Sequence, residues 1–148
     1  KTSGKGKISY TSSDKKVVTV DKKGMVKITG TGKANVIVKA SGSTGEATAS
    51  KTVTITVAPK TVSKLTVKAE KKKAAVKLSG TKGATYTIQY TKDKKFKSGV
   101  KQVTVKGAKS MTKSIGKLTS GKTYYIRVNV KQNGQTSAWS KVKTVKVK

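Results

Sequence analysis

The chain is 148 residues long and sets 35 basic side chains against five acidic ones, a formal charge of +30, with neither cysteine nor histidine. Those absences remove thiol nucleophiles, imidazole bases and the commonest zinc ligands. The five acids, Asp14, Asp21, Glu46, Glu70 and Asp93, do not stand in apolar strands, where a carboxyl suited to acid catalysis would have its pKa raised. Catalysis is not expected and no cofactor is called for.

Valine and threonine are abundant and no stretch shows a sustained helical period, which predicts strands throughout. No apolar run approaches the roughly 20 residues of a membrane-spanning helix, and the chain opens on Lys1 rather than on a signal peptide, as an excised piece of a longer polypeptide would. In chain order, the first predicted strands are Lys7 to Tyr10, Val18 to Val20, Val26 to Ile28, Val36 to Val38 and Val53 to Val57. Between them Asp14-Lys15-Lys16, Asp21-Lys22-Lys23-Gly24 and Gly30-Thr31-Gly32 read as turns. Asp14 and Asp21 suit turn capping better than calcium, which needs six or more oxygen ligands.

The only proline, Pro59, lacks the N–H a ladder needs and predicts a domain boundary, giving units 1–58 and 59–148. The second group of strands runs Leu65 to Val67, Ala75 to Leu78, Tyr86 to Tyr90, Val103 to Val105, Ser114-Ile115, Tyr124 to Val130 and Val142 to Val147, with Ala69 to Ala75 read as a lysine-rich turn. Asn133-Gly134 is a hairpin signal before the last strand. Seven short strands separated by turn clusters fit one β-sandwich.

Tyr86-Thr87-Ile88-Gln89-Tyr90, Leu118 to Val130 with Tyr124 at a tyrosine corner, and Trp139-Ser140-Lys141-Val142 resemble a fibronectin type III domain of the bacterial kind; Leu78 stands where that family commonly has tryptophan. Residues 1–58 are similar to a bacterial immunoglobulin-like domain of group 2. That likeness rests on Ile8 to Asp14, Val17 to Asp21, Gly24-Met25-Val26 and Gly30 to Val38, with Tyr10 at a position often held by tryptophan. The resemblance implies an all-β chain of two tandem immunoglobulin-like sandwiches, with Tyr10, Leu78, Tyr124 and Trp139 in structural roles. It further implies that strands normally preceding Tyr10 are missing, so that the first unit exposes an edge open to strand exchange with another chain. An extracellular setting, as a cell-surface or secreted bacterial protein, follows from the resemblance too. The expected roles are a structural spacer or adhesion module, a basic module attaching to cell-wall polymer or glycan, or the accessory C-terminal region of a secreted hydrolase.

The charge divides unevenly: residues 1–59 hold eleven lysines against three acids, +8, and residues 60–148 hold 23 lysines and Arg127 against two acids, +22. Such a field favours polyanions, so cell-wall polymer, acidic glycan or a host protein are the expected partners. Lysines on exposed faces also serve simply to keep a β protein soluble and its edges unpaired. Arg127 is alone among the lysines and aromatics are few, which argues against sequence-specific nucleic-acid recognition. If a ligand site exists, the expected loops are Lys92, Lys94, Lys95 and Lys97, and Lys131, Asn133 and Gln135, while Phe96 is read as a staple tucked onto the sandwich.

Overall fold

A computed structural model describes residues 6–42 and 48–148; Glu46 lies outside them. The chain is all-β and divides into two compact units, Lys1–Ala58 and Pro59–Lys148.

In the first unit, β1 (Lys7–Ser12), β4 (Gly32–Ser41) and β5 (Ala49–Val57) form an antiparallel sheet in the order β1-β4-β5, while β2 (Val18–Val20) and β3 (Val26–Ile28) form a two-stranded ribbon. Period-2 alternation turns Ala34 and Val36 of β4 inward, where they meet Val17 and Val18 in a small core flanked by Val20, Ile55 and Val57. Tyr10 on β1 pairs with Val38 and lays its ring against Gly24. A Cβ at Gly24 would come within 2.8 Å of that ring, and the residue has φ +83°, so both space and backbone require glycine there. Gly32, expected in a turn, instead opens β4 and pairs with Val57. It is buried, with the backbone reaching into the sheet as a glycine allows.

This unit leaves much apolar surface uncovered. All three residues of β3 are exposed, Ile28 by 63%, as is Met25 just before it by 71%, and Ile8 and Val53 on the outer strands of the larger sheet are exposed as well. Among the described residues, β1 and β5 each pair with β4 only.

The second unit is a closed two-layer sandwich. One sheet has the order β10-β7-β6, from β6 (Leu65–Glu70), β7 (Lys73–Leu78) and β10 (Met111–Ile115). The other runs β12-β11-β8-β9, from β8 (Thr85–Thr91), β9 (Lys101–Lys106), β11 (Thr123–Gln132) and β12 (Gln135–Thr136), and β13 (Lys143–Lys146) also pairs with β11. Strict alternation buries Tyr124, Ile126, Val128 and Val130 of β11 against Tyr86 and Ile88 of β8 and Val76 and Leu78 of β7, in a single core. Leu78, where tryptophan was noted as the common occupant, is 2% exposed and fills the core without it.

Two local readings are refined. The lysine-rich segment from Ala69 to Ala75 is a tight hairpin joining β6 to β7, because Lys72 takes the left-handed conformation (φ 53°) that closes so short a turn. The last strand, expected as Val142 to Val147, is β13, and a two-residue strand, β12, precedes it where none was expected. Between them Ser137 and Ser140 stay bonded to β11: their hydroxyl oxygens accept from the amides of Val130 and Val128 at 3.1 and 3.0 Å, and their own amides donate to the carbonyls of the same two residues. The intervening chain bulges off the ladder while losing no buried hydrogen bond. Asn133 and Gly134 take φ 49° and 76°, the consecutive left-handed pair of a two-residue hairpin between β11 and β12.

Candidate functional site

The connection between β8 and β9 holds four of the candidate lysines, and one carboxylate organises it. Asp93 accepts from the amide of Lys95 through Oδ1 at 2.8 Å, and from the amides of Lys97 and Ser98 through Oδ2 at 2.8 and 3.0 Å. The Thr91 hydroxyl adds a clasp, donating to the Ser98 carbonyl at 2.7 Å and accepting from the Asp93 amide. Hydrogen bonds from the Lys95 and Lys97 amides stabilise the ionised form and hold the Asp93 carboxyl below its ordinary pKa. With its backbone engaged in this way, the loop turns Lys94, Lys95 and Lys97 out to water.

Phe96 leaves this loop with φ 55° and meets Arg127 on the outer face of the five-stranded sheet. The guanidinium carbon lies 4.1 Å from the Phe96 ring centre and 4.4 Å from that of Trp139, while Nε and Nη2 both donate to Oε1 of Gln89 at 3.0 and 2.8 Å. The flat, fork-shaped cation suits both contacts at once, as an ammonium would not. Trp139 and Phe96 are thus engaged with the chain's single arginine, which ties the β8–β9 loop and the Ser137–Ser140 bulge to the sheet.

Tyr124 is a tyrosine corner in fact: its hydroxyl accepts from the Thr119 amide at 3.2 Å. A second corner, not expected, has the same geometry, Tyr86 accepting from the Thr81 amide at 3.0 Å. The signal for it is present in the sequence, since Thr81-Lys82-Gly83-Ala84-Thr85-Tyr86 and Thr119-Ser120-Gly121-Lys122-Thr123-Tyr124 share Thr-x-Gly-x-Thr-Tyr, with both glycines at positive φ.

The Tyr124 corner floors a cleft of the second unit, about 370 Å³, lined by Tyr90, Lys92, Lys101, Lys117, Leu118, Thr119 and Tyr124 with backbone from Gly99 and Gly116. Lys92 follows β8, Lys101 opens β9 beside Tyr90 in the ladder, and Lys117 is held left-handed at φ 57° in the connection from β10. Burial opposes ionisation of the Tyr124 phenol, but the Thr119 hydrogen bonds and the charges of Lys92 and Lys101 outweigh it, and the net shift is downward.

Of the candidate residues, Lys92 lines this cleft while Lys94, Lys95 and Lys97 project from the adjoining loop. Lys131, Asn133 and Gln135 sit elsewhere. Tyr125 pairs with Thr91 and Lys131 with Thr85, so the β11–β12 hairpin is at the opposite end of the strands, about 20 Å away at 3.3 Å per residue. The two loop groups do not form one site. Lys101 joins Lys92 only through the β8–β9 register, and Lys117 only through the packing of the β10–β11 connection against that sheet, so no local spacing marks them.

This strand order, a three-stranded sheet packed on a five-stranded one with a tyrosine corner opening β11, is the fibronectin type III-like arrangement. Solved structures are similar in fold over most of the chain. A two-domain fibronectin type III segment of chicken tenascin matches with a TM-score of 0.65 and 13% identity over 95% of this chain and 82% of its own. The chicken interferon gamma receptor alpha chain matches at 0.54 and 12% over 99% and 87%, and the FN1-FN3 domains of chicken CNTN1 at 0.53 and 18% over 84% and 47%. No family model and no curated protein matches the sequence.

Proposed function

We propose that this chain is a non-catalytic, extracellular module pair of a bacterial surface or secreted protein, with a group 2 immunoglobulin-like unit over residues 1–58 and a fibronectin type III unit over 59–148, acting as spacer and adhesion element. The observation that carries it is the way its polar chemistry is committed to architecture. Asp14, Asp21 and Asp93 cap turns, both corner tyrosines hold backbone, and Arg127 pins two loops. Little remains with which to build a catalytic constellation.

A second reading, attachment to a polyanion such as wall polymer or acidic glycan, is favoured by the convergence of Lys92, Lys101 and Lys117 on one cleft. Service as the accessory C-terminal region of a secreted hydrolase is compatible with either. A salt series of pull-downs on purified cell wall, heparin and duplex DNA separates the two readings. A spacer is released from all three near physiological salt; an attachment module persists on one.

The apolar residues left open on β3 and β5 support completion of the first unit by a strand from another chain. Ile28→Lys with Val53→Lys then abolishes any concentration-dependent association seen by sedimentation, and association unchanged by the pair contradicts strand completion at these edges.

A further inference from the structure

We propose that the cleft between the β8–β9 loop and the β10–β11 connection binds one acidic saccharide unit, a sugar ring bearing a carboxylate, sulfate or phosphate, with Lys92, Lys101 and Lys117 as the anion clamp. The proposal rests on the attachment reading and gives it a location. Three lysines line a single concavity whose remaining wall is Tyr90, Leu118, Thr119 and the corner tyrosine Tyr124, with Gly99 and Gly116. The cleft, about 370 Å³, has room beyond a bare oxyanion for an organic body of roughly monosaccharide size. Apolar and aromatic walls with a few charged groups at one side are what such a body requires.

The acids of this unit do not compete for the cations. Asp93, the only carboxylate in the two connections, is turned into its own loop and accepts three backbone amides. Glu70 lies on β6 and does not line the cleft. Both Lys92 and Lys101 act on the Tyr124 phenol, so their charge is felt at the cleft floor. The clamp is also preset, since Lys101 is fixed by the β8–β9 ladder and Lys117 follows β10 by two residues.

A sugar is favoured over a nucleic acid by what is already occupied. The guanidinium that would read phosphate and base is held by Gln89, and Phe96 and Trp139 are stacked on it. That fork and those two rings are therefore not available to phosphate and bases. Lysines serve as point charges toward an acidic sugar without either.

The test measures affinity of the full chain at 150 mM NaCl for three probes, a galacturonate tetramer, a sulfated tetrasaccharide and ribose 5-phosphate, with a 12-base-pair DNA duplex beside them. Three triple variants are compared: Lys92→Gln/Lys101→Gln/Lys117→Gln, the same positions changed to Arg, and Lys68→Gln/Lys77→Gln/Lys106→Gln as a charge-matched control on exposed strand positions. The expected result is tenfold or greater weakening for at least one saccharide in the cleft Gln variant, less than threefold in the control, and recovery to within threefold in the Arg variant. The probe that responds names the acid. Equal weakening in the two Gln variants, or a duplex bound as tightly as any saccharide with the same variant pattern, overturns the cleft while leaving attachment by charge standing. No binding of any probe by the unaltered chain overturns both.

Discussion

In Asp14-Lys15-Lys16, Asp21-Lys22-Lys23 and Asp93-Lys94-Lys95 the carboxylate Oδ1 accepts from the amide two residues on, at 2.8 Å each time. These are all the aspartates of the chain, and each closes a turn that bears two lysines, drawing its geometry from a short side chain that reaches its own backbone. Asp93 is the most heavily bonded, and its depressed pKa sets a pH window. Its folded value is lower than its unfolded one, so the stabilisation is full above pH about 4 and disappears as pH falls through the folded value. Carbon-13 titration of the carboxyl is expected to give a midpoint below 3.8, with Trp139 fluorescence changing in the same step because Phe96 and Trp139 share Arg127. A midpoint at or above the ordinary aspartate value contradicts the loop geometry. The two corner hydroxyls make a second prediction: Tyr124→Phe and Tyr86→Phe each lower the stability of the second unit by about 1 kcal/mol in urea unfolding, and a neutral result at either removes that corner from the account.

At the scale of strands, inner and outer residues were legible because the side-chain period in a sheet is two. The run from Tyr124 to Val130 places four residues in the core with no exception. Leu78→Ala is therefore expected to cost about 2–5 kcal/mol, whereas Trp139→Ala, on the outer face, costs about 1 kcal/mol, the worth of an exposed cation–π contact. Chemical denaturation of both variants checks the order; Trp139→Ala as the more damaging change would place that indole in the core. The Trp139 arrangement was not legible because Arg127, Phe96 and Gln89 come from three separate segments, with no local spacing to unite them. The same holds for Lys92, Lys101 and Lys117, whose neighbourhood is created by the β8–β9 register and by the packing of the two sheets. The bulge between β12 and β13 escaped for a different reason. β12 is only two residues long, with no alternating apolar run to mark it, and the serines that follow stay on β11 through side-chain hydrogen bonds that the sequence does not announce.

For the whole molecule, the division of charge follows from the alternation itself: with valine, isoleucine and tyrosine inside, lysine takes the outward turns, and the second unit carries most of the +30. A field of that size attracts any polyanion at low salt and falls off within about 8 Å at physiological ionic strength. Selectivity then depends on places where the fold concentrates cations. The most direct measurement is a backbone amide shift map of the full chain at 150 mM NaCl during titration with acidic tetrasaccharide. The account predicts saturable shifts grouped at Gly99, Lys101, Gly116, Lys117 and Thr119, with the β11–β12 hairpin around Asn133 unmoved. Small, non-saturating shifts spread over lysine-bearing positions of every strand would contradict it.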